Sequence, residues 1–222
     1  MLSAIIFDCD GVLVDSEVLA MRAERGALAE LGLSYSREEY MRRFIGMHDD
    51  AFLAAVTKDF HARLGAAPAD LETRLLDARR EEMKSLTVID GAAAALRATR
   101  DADYKIAVAS SSRAHFLESK MKRTALWDLA APHVYSADLV AQAKPAPDIF
   151  LYAAAQIGVA PGACVALEDS ENGVRSAVAA GMIVWGFLGG GHVSDDHGER
   201  LSAAGAERLV SNHADFTAVI GG

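Results

Sequence analysis

Two aspartates, Asp8 and Asp10, stand two residues apart where an apolar run, Leu2 to Phe7, stops abruptly at Asp8-Cys9-Asp10-Gly11. Three further polar features lie at or near the ends of later apolar stretches: Ser110-Ser111-Ser112, Lys144 ahead of Pro145 and Pro147, and Glu168-Asp169. Three or four carboxylates, one lysine and a hydroxyl gathered in one crevice would suit a hard divalent cation together with an anionic ligand. Taken singly, each has a plainer use. Asp and Gly are common turn formers, so Asp8 to Gly11 could be a strand-to-loop turn. Glu168-Asp169-Ser170 could cap a helix beginning near Glu171, and Ser110 to Ser112 could cap another. A lone lysine is an ordinary surface charge. It is their joint occurrence, in this order, that points to a site.

A parallel sheet would bring them together, because in open α/β sheets the ligand crevice lies beyond the carboxyl ends of the strands. Leu2 to Phe7 is continuous in its apolar residues, as a strand buried on both faces would be. After Asp90-Gly91 strand and helix patterns alternate, with strands expected at Ile106 to Ala109, Val134-Tyr135, Cys164 to Leu167, Ile183 to Phe187 and Leu209-Val210. Between lies a stretch of helical periodicity without a strand pattern. Met21, Leu28 and Leu31 fall in register with Gly32 placed to end their helix, and Ser36 with Glu39 has the spacing of a capping box. Phe52, Val56, Phe60 and Leu64 recur every fourth residue, and Pro68-Ala69-Asp70 opens a last helical stretch. The expected architecture is a doubly wound, Rossmann-like α/β core of residues 1–15 and 88–222, with an all-helical insert of residues 16–87 after the first strand.

The chain has 222 residues, 51% hydrophobic and 24% charged, enough for one substantial core and a smaller lobe. Its net charge of −9 argues against a nucleic-acid or anionic-lipid partner. No apolar run approaches the roughly 20 residues that a bilayer requires. Met1-Leu2-Ser3-Ala4 places no basic region ahead of the first apolar stretch, so a cytoplasmic protein is expected. The two cysteines, Cys9 and Cys164, lack the spacing of a zinc site or disulfide framework and read as small buried hydrophobes. Gly189-Gly190-Gly191 lacks the GxGxxG pattern and reads as a flexible loop. The seven histidines form neither HxH nor HExxH, and none is assigned to a metal.

The segments Asp8-Cys9-Asp10-Gly11-Val12-Leu13-Val14-Asp15-Ser16, Ser110, Lys144-Pro145 and Glu168-Asp169 match, in order, four motifs of the haloacid dehalogenase superfamily. The chain resembles its phosphatase and β-phosphoglucomutase-like group, in which a helical cap follows the first strand. That resemblance implies that Asp8 is the nucleophile, Asp10 the general acid and base, and Lys144 and Ser110 the partners of the transferred phosphoryl group. It implies Mg²⁺ held by Asp8, the main-chain carbonyl of Asp10 and Asp169, with Glu168 a ligand or just outside them. Hinges are expected near Asp15 to Glu17 and Val88 to Gly91. Substrate contacts are expected from Ser111 and Arg113 after the second strand, and from Arg42, Arg43, Gly46 and His48 in the insert. The implied substrate is a small phosphorylated metabolite, and the expected state a monomer or weak dimer. Asp10 argues against a dehalogenase, and the intact core groups against a non-enzymatic phosphate-binding module. A phosphomutase would keep the same core. The positions matching the mutase histidine, cap arginine and asparagine are Ala20, Asp49 and Ala114, which favours hydrolysis.

Overall fold

The computed structural model describes residues 2–45, 47 and 49–221, and these divide into two compact units. One comprises the chain up to Asp15 and again from Thr87, and the other is Ser16–Leu86. In chain order, β1 (Ala4–Phe7) is followed by α1 (Ser16–Glu30), α2 (Arg37–Phe44), α3 (Asp49–Leu64) and α4 (Leu71–Glu82). The remainder alternates: α5 (Ala92–Asp101), β2 (Lys105–Ser110), α6 (Ala114–Arg123), α7 (Trp127–Ala130), β3 (Val134–Ser136), α8 (Asp148–Gln156) and β4 (Cys164–Glu168). Then come α9 (Glu171–Ala179), β5 (Ile183–Phe187), α10 (His197–Ala204), β6 (Arg208–Val210) and α11 (His213–Ile220).

Among the described residues the strands form one parallel sheet in the order β3-β2-β1-β4-β5-β6. The first strand is therefore central, and all four of its residues are buried. Alternation along it sends Ala4 and Ile6 into a core shared with Ile149 and Phe150 of α8 and Val174 and Ala177 of α9. Phe7 meets Phe216 of α11 edge to face, ring centroids 5.4 Å apart. Burying one such ring stabilises the fold by about 1.5–3 kcal/mol. Phe7 pairs with Val108 of β2 and Leu167 of β4, so the sheet register carries Asp8, Ser110 and Glu168 to the same edge.

Three strands, β2, β3 and β4, each run one residue past their expected ends. Ser110 and Glu168 are the last residues of β2 and β4, not parts of a turn. The serines do not cap α6: its N-cap is Arg113, which makes no side-chain cap bond, and the Ala114 N–H finds Asp138 at 2.8 Å. Ser170 caps α9, its hydroxyl accepting from the Gly173 N–H at 3.1 Å.

The helical unit forms as its punctuation directs. Ser36 accepts from the Glu39 N–H at 3.0 Å to start α2. Gly32, at φ +88°, ends α1 with the paired bonds Leu33 N–H to Leu28 carbonyl, 2.8 Å, and Gly32 N–H to Ala29 carbonyl, 3.0 Å. Its core gathers Tyr35, Tyr40, Phe44, Phe52, Phe60 and apolar residues of α1 and α4. No helix among the described residues is long and apolar enough to cross a membrane.

Candidate active site

The first cluster at the sheet edge centres on Lys144. Its Nζ donates to Asp8 Oδ1 at 2.6 Å, Glu168 Oε1 at 2.5 Å and the Ala109 carbonyl at 2.9 Å. The lysine side chain is 5% exposed, which excludes the surface-charge reading. Burial works to discharge it, but Asp8 and Glu168 prevail and hold its pKa above the ordinary lysine value. Burial pushes the Asp8 carboxyl well above its ordinary range; Lys144 opposes this, while Glu168, Asp169 and Asp10 reinforce it. Glu168 is raised for the same reason, burial outweighing Lys144.

Asp8, Glu168 and Asp169 each offer a carboxylate oxygen, all within 4.8 Å of one another. Three buried carboxylates against one ammonium leave two negative charges, the deficit that one divalent cation makes up. All-oxygen donors suit a hard ion such as Mg²⁺, so the residues fit the implied metal. Glu168 is the most committed of the three. Its second oxygen, Oε2, accepts from the Asp169 N–H, the Ser170 N–H and the Ser170 hydroxyl, each at 3.1 Å. A Cβ at Gly173 would fall 1.9 Å from Glu168 Oε1, so glycine in the first turn of α9 is what leaves that carboxylate its place.

A second cluster holds Asp10. Its Oδ2 accepts from Ser110 Oγ at 3.2 Å and Ser112 Oγ at 2.8 Å, and its Oδ1 pairs with Lys120 Nζ. Lys120 also donates to Ser112 Oγ at 2.8 Å, closing the ring. A carboxylate gripped by two hydroxyls and an ammonium is fixed in direction two residues from Asp8, as a proton donor and acceptor must be.

A third group surrounds Asp169. His192 Nε2 lies 3.0 Å from Asp169 Oδ2, and His197 Nε2 2.6 Å from the Asp169 carbonyl. Both rings are buried. The Gly191 N–H donates to Asp15 Oδ1 at 3.1 Å, fastening the glycine run to the segment after the first motif.

Of the residues expected from the sequence, the fold brings together Asp8, Asp10, Ser110, Lys144, Glu168 and Asp169. Ser111 and Arg113 are exposed beyond β2, and it is Ser112 that joins the Asp10 cluster. Arg43 lies in the helical unit, where it pairs with Asp59 at 2.6 Å and Glu39 at 3.2 Å and stacks over Phe44. Gly46 and His48 fall outside the described residues. Nothing in the sequence singles out Lys120, one of three basic residues within four positions on α6, or His192 and His197, whose five-residue spacing matches no ligand pattern. Burial raises the thiol pKa of Cys9 and of Cys164, which leaves both as inert core groups.

The family model for haloacid dehalogenase-like hydrolases matches residues 2–181. Hexitol phosphatase B of Escherichia coli is 34% identical over 184 residues, covering 81% of this chain and 80% of that protein. The 6-phosphogluconate phosphatase of the same organism is 29% identical over 191 residues, covering 86% of this chain and 85% of its own. A HAD family hydrolase from Deinococcus radiodurans, solved with bound phosphate and sodium, is 36% identical with a TM-score of 0.86 over 99% of this chain and 95% of that one. With the four motifs converging at one sheet edge and matches of this extent, the chain belongs to the haloacid dehalogenase-like hydrolases.

Proposed function

We propose that the protein is a Mg²⁺-dependent phosphatase that hydrolyses a small phosphorylated metabolite, a sugar phosphate, through an aspartyl-phosphate on Asp8. The observation that carries this reading is the buried Asp8 carboxylate, bonded to Lys144 at 2.6 Å and grouped with Glu168 and Asp169. Similarity to phosphatases of hexitol phosphates and 6-phosphogluconate supports the substrate class. Asp8, Asp169 and the Asp10 main-chain carbonyl would hold Mg²⁺, with Glu168 beside them; when bound it offsets the repulsion between the nucleophile and the phosphoryl dianion.

In the first half-reaction an Asp8 oxygen bonds to phosphorus and the bond from phosphorus to the ester oxygen breaks. Asp10, which enters this step protonated, gives its proton to that oxygen, which leaves as the alcohol. In the second, Asp10 takes a proton from water as the water oxygen bonds to phosphorus. The bond from phosphorus to Asp8 then breaks and releases inorganic phosphate. Lys144 stabilises charge on the transferring group, and Ser110, whose hydrogen goes to Asp10 in this structure, turns it to a phosphoryl oxygen.

Water as the final acceptor is favoured by what a mutase would need and this chain lacks. Ala20 and Ala114 offer no polar group at the matching positions. Asp49 meets Arg79 at 2.7 Å, so its charge is offset inside the helical unit rather than left to repel a phosphate. Hydrolysis is therefore favoured by the absence of groups that would grip a second phosphate.

Phosphate release from a panel of sugar and polyol phosphates, with Mg²⁺ and with chelator, tests the proposal. Turnover of at least one substrate is expected with Mg²⁺ alone. Full turnover in chelator would sink the metal, and glucose 6-phosphate outrunning free phosphate from β-glucose 1-phosphate would turn the reading to a mutase.

A further inference from the structure

The glycine run Gly189-Gly190-Gly191 and the histidine after it have no part in the steps above, yet they are built against the site. A Cβ at Gly190 would stand 2.7 Å from His192 Cε1, and one at Gly11 would stand 1.8 Å from Asp169 Oδ2 and 2.8 Å from His192 Cε1. Gly11, Gly190, Asp169 and the His192 ring thus interlock with no room for a side chain at either glycine. The ring presents Nε2 to Asp169 Oδ2 at 3.0 Å, and a nitrogen facing a carboxylate must carry the hydrogen. His197 fixes the same residue from the other end. Arg200, which can only donate, approaches its Nδ1 at 2.9 Å, so its Nε2 carries the hydrogen given to the Asp169 carbonyl at 2.6 Å.

We propose that His192 is a positioning residue: its Nε2–H holds one carboxylate oxygen of Asp169 so that the other is presented to the divalent cation, with His197 anchoring the backbone beneath. Hydrogen bonds of this kind to a metal-binding carboxylate fix its direction, and removing one commonly costs 10- to 100-fold in metal affinity. The inference rests on the reading of Asp8, Glu168 and Asp169 as a Mg²⁺ site.

The test is binding of Mn²⁺ as the probe ion to the full chain, stripped with chelator and followed by the loss of the free-ion EPR signal, without substrate. His192→Leu, which removes the donor, should weaken binding roughly 10- to 100-fold. His192→Gln, whose amide nitrogen can take the place of Nε2, should recover most of it, and His192→Asn, too short to reach, should not. The Mg²⁺ concentration for half-maximal phosphatase activity should rise by the same factor in the Leu variant, while KM at saturating Mg²⁺ stays put. Leu and wild-type proteins binding within twofold would overturn the inference and leave the metal site standing. Wild-type protein that binds no Mn²⁺ would remove the metal site and this inference with it. Should the Leu variant fail to fold, the Gln and Asn pair decides, equal affinities counting against the proposal.

Discussion

Asp8 in the sheet unit and Asp59 in the helical unit each sit 2.6 Å from a cationic nitrogen, Lys144 for one and Arg43 for the other. Their carboxyl groups nonetheless shift in opposite directions. Around Asp59 burial is overcome by the Tyr35 hydroxyl, which donates at 2.6 Å, and by Arg43, and the group is held below its ordinary value. Around Asp8 burial prevails over Lys144, which must also serve Glu168, while Asp169 and Asp10 add to the repulsion. The donors of Asp59 outweigh its burial, and the one ammonium beside Asp8 does not. A charge that is already satisfied braces a fold, whereas one left in deficit is a place for an incoming cation to act.

Asp8→Asn should have the largest effect, activity falling to background because an amide cannot form the acyl-phosphate. Its stability in chelator should hold or rise, since the amide carries neither the desolvation cost of a buried charge nor the repulsion from Glu168 and Asp169. Denaturant melts that show Asp8→Asn strongly destabilised in chelator would break the comparison.

Glu24 tests whether burial alone can do in the helical unit what it does to Asp8. It pairs with Arg79, yet burial carries its pKa from 4.5 to about 7 against that pull. The folded state thus holds the proton more tightly than the unfolded one. The contribution is fully present below pH 4.5 and is lost as pH rises through about 7, a span worth on the order of 3 kcal/mol. Urea melts at pH 5 and pH 8 should show wild type losing that much relative to Glu24→Gln, and parallel behaviour would refute it.

Lys120→Met should lower kcat about 10- to 100-fold with KM little changed, because Asp10 would lose one of its three holds and with it alignment. An unchanged kcat would leave the two hydroxyls sufficient. Asp59→Asn should cost only about 1–2 kcal/mol of stability, the worth of a charged hydrogen bond, with KM within about twofold of wild type. A marked rise in KM would instead give the Arg43 cluster a role with substrate.

The residues that were readable in the sequence are those placed by the backbone. Asp8, Ser110 and Glu168 each terminate a buried apolar run or follow one directly, and parallel pairing fixes strand ends to within a residue or two. Period-two burial, the Ser36 cap and the Gly32 stop are likewise local and visible. Lys120, His192 and His197 are placed by side-chain reach across the fold: Lys120 lies 110 residues from the aspartate it holds, and its neighbour Lys122 differs from it only in the face it occupies. The glycines at 11, 173 and 190 belong to the same class. Their reason is a neighbour that must fit, and no pattern along one chain announces a neighbour.

The central position of β1 also has a consequence in time. Residues 4 to 7 are made well before the strands that bury them, which begin at Lys105 and Cys164. At ordinary synthesis speeds the wait for β4 is roughly ten to thirty seconds; β2 arrives in the later part of it, and until β4 follows one edge of the apolar strand stays open. The helical unit, built from neighbours in sequence, can organise during that interval. A central strand whose second neighbour ends at residue 167 stays exposed to mispairing until that residue has left the ribosome, so translation rate, and not equilibrium stability alone, bears on yield.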